Sequence, residues 1–195
     1  NYTYIYIYIV FQMSNIDKET EKELIRDPID DAEIKSVNDD IKIMTYNDLE
    51  PYKNIDELMP KDKEAIMLLY LTESDSSGHW CCLVKNDDNL FYLDSYGKEI
   101  DEPLTWDNQN IMKRPFLSNI IDNSPNYNIF ENNKQYQKPS SVINTCGRHC
   151  LNFIQFNNYY NCDLFQYYEI MNYLKEKMKK TYDELVCHLI TENIK

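Results

Sequence analysis

Residues 79–94, HWCCLVKNDDNLFYLD, form the stretch of the chain that decides its fold. Two apolar, strand-like segments at 79–85 and 89–94 flank a polar Asn-Asp-Asp turn, a pattern typical of a β-hairpin. In an antiparallel hairpin the start of one strand lies opposite the end of the next. The sequence therefore predicts that His79 and Asp94 are neighbours in space.

A buried strand and several helices are predicted around this hairpin. Residues 65–71 form a short apolar run between polar turns, which favours a strand. The apolar residues after Cys146 have the spacing of a buried helix, so Cys146 is expected at or near a helix N-terminus. Residues 164–179 carry a helical apolar stripe, and a capping box at 181–184 predicts a last helix. With strands in the middle and helices at the end, the order indicates an α+β fold.

The N-terminal part of the chain is predicted to lie outside the compact domain. Residues 1–13 alternate Tyr and Ile but lack the features of a signal peptide, so we interpret them as a tail or a start-site artefact. Residues 14–27 can form a polar helix, and the acidic stretch that follows up to residue 40 indicates a solvated arm. The predicted division is a tail, an acidic N-terminal arm at 14–44 and a catalytic domain at 45–195.

Composition narrows the class of partner. The chain has 195 residues and a net charge of −13, which makes nucleic acid unlikely as the main partner and favours basic proteins. Its six cysteines do not resemble the spaced framework of a small secreted domain, and no apolar run reaches membrane-spanning length. We therefore expect a monomer in a reducing cytosol, without a membrane partner.

Cysteine and histidine chemistry is predicted at Cys146. A cysteine is nucleophilic as its thiolate, and a helix N-terminus together with a nearby imidazolium lowers the thiol pKa from about 8.5. His79 is the natural base, and Asp94 would accept its other ring N–H and fix the tautomer. His149 and His188 are the rival bases, but we expect the first to pack or cap and the second to lie on the surface or in the core. A Cys-Gly pair alone is more often an inert core cysteine before a turn glycine.

Three segments together are similar to one protease family. They are GHW at 78–80, LDSYG at 93–97 and NTCGRHC at 144–150. This combination resembles the adenovirus-type (adenain-like) maturation cysteine proteases, especially those of virophages and Polinton/Maverick-like elements, in the same superfamily as the SUMO-processing proteases. The resemblance runs from about residue 45 to 156. It implies a papain-like or adenain-like fold with a central, mostly antiparallel sheet and the nucleophile at a helix N-terminus.

The resemblance also implies catalytic roles. His79 is the base, Asp94 is the orienting acid and Cys146 is the nucleophile. A glutamine upstream of the cysteine donates its side-chain N–H to the oxyanion, and Gln137 fits this role better than Gln135. Gln137 precedes Cys146 by nine residues, about two more than is usual in the family, so a small loop insertion is required.

Substrate contacts are implied for two further residues. Trp80 corresponds to the aromatic residue that narrows the cleft and favours small residues, often glycine, near the scissile bond. Gly147 would let the substrate backbone pass the nucleophile, while the local amides bind the oxyanion. Gly78 and Gly97 are expected to shape the turns that bring the base and the acid together.

The implied function is a cysteine endopeptidase that cleaves capsid or other structural precursors during virion maturation, in the virion and the host cytoplasm (the viral factory). The resemblance leaves room for an activating peptide, whereas the charge makes activation by DNA doubtful. No metal or other cofactor is expected. One alternative is a protease that acts on host ubiquitin-like modifiers. A second is a thiol metal site built from Cys146, Cys150, His149 and His79.

Overall fold

The predicted hairpin forms the middle of a five-stranded sheet. Its strands are β3 (Ser77–Asn86) and β4 (Asn89–Asp94), which pair antiparallel. The protein is seen here in a computed structural model that describes residues 16–74, 77–106 and 114–190. The predicted tail lies outside the described residues.

The sheet is mixed, with strand order β1-β2-β3-β4-β5. β1 (Lys42–Thr45) runs parallel to β2 (Lys63–Ser74), β2 runs antiparallel to β3, and β5 (Asn128–Glu131) runs parallel to β4. The expected mostly antiparallel sheet was therefore wrong for the two outer pairings. Both outer strands are joined to their neighbours by long connections that contain helices, and such crossovers produce parallel pairs. The expected α+β class is confirmed.

Seven α-helices occur within the described residues, and the last three follow the sheet in sequence. They are α1 (Lys18–Arg26), α2 (Asp31–Val37), α3 (Ile55–Leu58), α4 (Phe116–Asp122), α5 (Cys146–Tyr160), α6 (Leu164–Met178) and α7 (Tyr182–Ile190). The predicted helix that starts at Cys146 is confirmed as α5. Two short 3₁₀ helices, Tyr46–Leu49 and Glu102–Trp106, complete the list.

Helix α5 is the centre of the fold. The first 12 of its 15 residues are buried, and the helix packs against β3, β4 and α7. Its apolar residues Leu151, Phe153, Ile154 and Phe156 belong to the main core, and polar residues of the same helix are buried as well. Because α5 is surrounded, its first residue, Cys146, is held firmly beside the sheet.

The N-terminal segment is not the solvated arm that its charge suggested. Ile29, Ile34 and Ile41 are 3%, 0% and 1% exposed and belong to the main core. Asp30 forms a capping box with Glu33 and starts α2. The acidic residues face solvent while the isoleucines between them are buried. The net charge of the segment therefore gave no indication that one of its faces packs into the core. The domain division at residue 44 stays a prediction.

Within the described ranges, we find no helix that combines the length and the apolar character needed to cross a lipid bilayer.

Candidate active site

His79 and Asp94 meet on one face of the central hairpin. Asp94 lies directly opposite Cys81 in the β3–β4 ladder, and His79 is two residues before Cys81, so all three side chains share a face. The Nε2 atom of His79 lies 3.1 Å from Oδ2 of Asp94. Both side chains are buried, with 5% and 0% exposure. The predicted proximity of this pair is confirmed.

Several donors fix the orientation of the Asp94 carboxylate. Its Oδ1 accepts the main-chain N–H of Tyr96 at 2.6 Å, and its Oδ2 also accepts the Cys81 thiol at 3.3 Å. The buried side-chain amide of Asn132 makes two hydrogen bonds to the main chain of Asp94. Its Oδ1 accepts the Asp94 N–H, and its Nδ2 donates to the Asp94 carbonyl oxygen. The carboxylate therefore cannot rotate away from His79 without losing other hydrogen bonds.

Cys146 forms the third member of this group. It is the first residue of α5, is 8% exposed, and lies close enough to His79 for the imidazole to lower the pKa of its thiol. The Nε2 atom of His79 is committed to Asp94, so Nδ1 is the ring nitrogen left for the thiol. The main-chain N–H groups of Trp80 and Gly147 also lower the pKa of the Cys146 thiol. Groups from β3 and from the helix start thus favour the thiolate of Cys146.

These contacts favour a thiolate–imidazolium pair. Burial alone would raise the pKa of Cys146, but the hydrogen bond and charge of His79, with the two amides, bring it below its ordinary value. Burial alone would lower the pKa of His79, but Cys81, Asp94 and Cys146 together raise it well above its ordinary value. The opposite shifts stabilise the charged form of both partners.

Other cysteines are shifted in the inert direction. All six cysteines are free and buried. Burial raises the pKa of Cys162 to about 11 and that of Cys187 to about 12. Burial also raises the pKa of Cys81 and Cys150 above the ordinary thiol range. Cys146 is chemically distinct from these four thiols.

Two aromatic rings that the sequence reasoning gave no role enclose His79. The Tyr96 ring stacks on the imidazole with centroids 4.9 Å apart, and the Trp106 ring meets it edge-on at 5.3 Å. A ring stacked on the imidazole limits its rotation and excludes water from one side. Tyr96 follows Asp94 by two residues, which was a usable signal, whereas Trp106 reaches the site through a long loop.

Gln137 is buried and Gln135 is exposed. The side-chain Nε2 of Gln137 donates to the Tyr96 hydroxyl at 3.0 Å and to the Ile143 carbonyl at 2.9 Å, and its Oε1 accepts from the Ser95 hydroxyl at 2.8 Å. Both amide hydrogens are thus already donated. To serve an oxyanion, Gln137 would exchange one of these acceptors, and its catalytic role stays a prediction.

Gly147 is covered by residues of the chain itself. A Cβ atom at this position would lie 2.2 Å from Cγ2 of Ile29 and 3.0 Å from Cδ1 of Trp80. Glycine is therefore required for the packing of the N-terminal segment against Trp80, which is an explanation independent of a passing substrate. Gly97, with φ of 74°, closes the turn after Asp94 as expected, whereas Gly78 pairs with Leu71 in the β2–β3 ladder, where a Cβ atom would lie 2.0 Å from the Tyr70 carbonyl oxygen.

The N-terminal segment is tied to the start of α5 by main-chain carbonyls. Asn144 donates its main-chain N–H to the Ile25 carbonyl at 2.8 Å and its side-chain amide to the Arg26 carbonyl at 2.5 Å. Arg148, only 2% exposed, donates to the Leu24 and Asp27 carbonyls at 3.0 and 3.3 Å. The segment is thus an integral wall of the site.

A cleft of about 820 Å³ leads from this wall to Cys146. Its floor is apolar and its rim carries three carboxylates. The lining residues include Ile29, Ile43, Met44, Leu69 and Trp80 on the floor, and Asp30, Asp31 and Asp48 on the rim. Neither Lys nor Arg is among the residues described as lining it. A second cleft of about 280 Å³ lies beside Tyr96, Trp106 and Gln135. Cys146 thus lines the first cleft, and the two rings that contact His79 line the second.

A second histidine–aspartate pair joins α5 to α7. His149 is fully buried, and its Nε2 lies 3.3 Å from Oδ1 of Asp183. Its Nδ1 is buried without a hydrogen-bond partner. His149 packs within the core, as predicted, and does not approach the Cys146 thiol from this position. His188 is also mostly buried, and its Nε2 lies 2.5 Å from Oε2 of Glu21.

The structure does not bring together the metal ligands that the sequence alternative named. His149 faces Asp183, while the Cys150 thiol donates to the carbonyls of Trp80 and Leu93. Among the described residues, the cluster whose ligand atoms do converge is His79, Cys81 and Asp94, within 4.8 Å.

Comparison with known proteins gives one distant relative. The chain is 26% identical over 159 residues to an uncharacterized protein, V9, of the Sputnik virophage; the match covers 78% of this chain and 87% of V9. No protein-family model matches the chain. The chain is thus a distant homologue of a virophage protein.

Proposed function

We propose that the protein is a cysteine endopeptidase of the adenovirus-type maturation class, which cleaves capsid or other structural precursors during virion assembly. The observation that carries the proposal is the hydrogen-bonded pair of Asp94 and His79 next to Cys146, the first residue of α5, whose pKa the imidazole lowers. The order of the three residues in the chain and the motifs around them agree with the family resemblance. The distant relationship to a virophage protein supports a viral setting.

The reaction would follow from the charge state of the pair. The Cys146 thiolate attacks the scissile carbonyl carbon, and the carbonyl electron pair moves to oxygen. The N–H groups at the start of α5, with Gln137 after exchange of one acceptor, stabilise that oxyanion. His79 gives its proton to the leaving amine, a thioester forms, and His79 then takes a proton from the water that releases the acid.

The substrate would be an extended peptide that crosses both grooves. The larger groove offers an apolar floor and an acidic rim, so it suits a chain with apolar and basic side chains. Trp80 lines this groove together with Cys146, so its ring would narrow the groove beside the nucleophile and favour small residues near the scissile bond. Structural precursors in the virion and in the host cytoplasm are the proposed partners, and a monomer is the proposed form.

The test is processing of a capsid precursor from the same genome, coexpressed with the protein. We expect new termini at defined sites with the wild type and none with Cys146→Ala, whose fold is checked by thermal unfolding. Retained cleavage by Cys146→Ala would contradict the mechanism.

A panel of ubiquitin-family substrates gives the second arm. Rapid release of a modifier tail without cleavage of the capsid precursor would replace our proposal with the modifier-directed alternative. Metal analysis of the same sample completes the comparison, because stoichiometric zinc together with an unreactive Cys146 would favour a metal site.

A further inference from the structure

Asp183 contacts the residue before Cys146 and the residue after Gln137, although it lies 37 positions after Cys146 in the sequence. It is the second residue of α7, and its side chain is buried, with 4% exposure for the residue. One carboxylate oxygen accepts from Thr145 and lies near His149; the other accepts from the main chain of Lys138. A buried carboxylate with donors from three directions is held in one orientation.

The first contact concerns the residue before the nucleophile. Thr145 stands at the N-cap position of α5, where a threonine hydroxyl ordinarily accepts an N–H from the first helical turn. Here the Thr145 side chain makes no such cap, and its backbone has φ −96° and ψ 3°. Its hydroxyl instead donates to Oδ1 of Asp183 at 2.5 Å. The first-turn amides are thereby left for charge that gathers at Cys146.

The second contact concerns the segment that carries Gln137. The main-chain N–H of Lys138 donates to Oδ2 of Asp183 at 3.1 Å. On its other side, Gln137 donates its own main-chain N–H to the Ser95 carbonyl at 2.9 Å. Gln137 is therefore held between β4 and α7, and Asp183 fixes the distance between its segment and the helix start.

We propose that Asp183 is a positioning residue for peptide hydrolysis. By holding the Thr145 hydroxyl and the Lys138 amide, it fixes the start of α5 relative to the segment that carries Gln137. These two segments are the ones proposed to bind the oxyanion. The inference rests on the proposed function. Asp183 does not touch the thiol or the imidazole; it acts through Thr145 and Lys138.

A carboxylate is needed for this role because its two oxygens accept from donors on different segments. The amide of an asparagine has one oxygen and one NH₂ group, so it can accept from one segment only and opposes the donor on the other. In Asp183→Asn the released Thr145 hydroxyl is also able to cap α5 in the ordinary way. Both effects weaken oxyanion binding while the contact of His79 with Cys146 is unchanged.

The experiment compares Asp183→Asn, Thr145→Val and Thr145→Ser with the wild-type chain, using a fluorogenic peptide with Gly-Gly before the scissile bond. We expect kcat to fall about 10- to 100-fold in the first two variants with little change in KM. Thr145→Ser, which keeps the hydroxyl, should recover most of the activity. The double variant Asp183→Asn/Thr145→Val should lose no more activity than the worse single variant, because both changes break the same hydrogen bond between Thr145 and Asp183.

Iodoacetamide alkylation of Cys146 across pH separates positioning from general damage. A variant that loses only oxyanion geometry keeps the wild-type pH profile of alkylation and the wild-type fraction of folded protein. Glu184→Gln is the matched control: Glu184 caps the same end of α7 by accepting the Thr181 N–H, and it has no contact with Thr145. This control should keep kcat.

Two results would overturn the inference while leaving the proposed function intact. One is an unchanged kcat in both Asp183→Asn and Thr145→Val. The other is a loss of kcat that is matched by the loss of folded protein or of Cys146 alkylation. If the wild-type chain shows no thiol-dependent cleavage of the peptide or the precursor, the proposed function itself fails, and the role of Asp183 in it fails as well.

Discussion

The chain contains two buried histidine–aspartate pairs of nearly equal geometry, His79 with Asp94 and His149 with Asp183. The N–O distances are 3.1 and 3.3 Å, and all four side chains are buried. The difference lies at the second ring nitrogen. In the first pair Cys146 lies beside the imidazole and raises its pKa, whereas Nδ1 of His149 is buried without a hydrogen-bond partner.

The contrast separates the two pairs by what lies beside the imidazole. Next to His79 is Cys146, a third titratable group, whose pKa is lowered and which lines a cleft. His149 has no hydrogen-bond partner at Nδ1, and Asp183 accepts from a main-chain N–H and a hydroxyl. On the proposed function, the first pair takes part in the reaction, and the second pair holds the structure around it.

The strongest test of the difference between the two pairs is to make the same substitution in both histidines. His79→Gln should reduce peptidase activity by at least about 10³-fold, because glutamine cannot accept and return a proton. His149→Gln should keep activity within about tenfold and lower the free energy of unfolding by about 1–3 kcal/mol. Peptide cleavage and thermal unfolding measure the two effects. Equal loss of activity in two folded variants would end the distinction.

The next largest effect is expected from the aspartate of the first pair. In Asp94→Asn the new amide can donate to Nε2 of His79, which leaves the proton on Nδ1 and prevents that nitrogen from accepting the thiol proton. We expect a fall in kcat of about 10²- to 10⁴-fold, with KM little changed. Steady-state kinetics measure it, and a fall below tenfold would mean that Asp94 does not set the tautomer.

The charge state of Cys146 predicts a smaller but selective effect on thiol reactivity. Its pKa is lowered, so its thiolate persists at pH values where an ordinary thiol, with a pKa near 8.5, is protonated. At pH 6 we expect iodoacetamide to modify Cys146 at least about ten times faster than Cys162 or Cys187. Mass mapping of alkylated peptides measures this.

His79→Gln provides the control for that measurement. Without the imidazolium, burial dominates and the pKa of Cys146 should rise, so the pH midpoint of its alkylation should move upward. Equal modification of all six thiols in the wild type would contradict the ion pair.

The smallest effect is expected at Cys81. Each aspartate accepts a hydrogen bond from a neighbouring side chain: Asp94 from the Cys81 thiol, and Asp183 from the Thr145 hydroxyl. Cys81→Ser keeps a donor and should retain nearly full activity. Cys81→Ala removes it, and the loss of about 1 kcal/mol of hydrogen bonding predicts a fall of about fivefold in kcat. A fall above 100-fold in Cys81→Ala would give Cys81 a direct part in the chemistry.

The first pair could be read from the sequence because its partners lie on one hairpin. Alternating apolar residues and a polar turn fix the strand register locally, and the register places His79 near Asp94. Cys146 at a helix start was likewise a local prediction, from the apolar spacing that follows it.

The second pair and the N-terminal wall could not be read in this way. Asp183 reaches Thr145 only after α7 docks, and such tertiary placement leaves no periodic signal. The burial of Ile29 beside Gly147 was hidden because charged residues surround it in the sequence. Both omissions involve contacts between segments far apart in the chain, whose register no local pattern determines.

The hydrogen bonds that join the N-terminal segment to α5 and α7 also limit when the site can assemble during translation. The carbonyls of Leu24 to Asp27 leave the ribosome early, but their donors on Asn144 and Arg148 follow more than 115 residues later, and Glu21 finds its partner Lys180 later still. The N-terminal segment therefore cannot pack beside the Cys146 thiol until Asn144 and Arg148 have been synthesised. Newly made protein acquires its complete centre only when translation has passed α7, so nascent chains on a polysome stay without the assembled site.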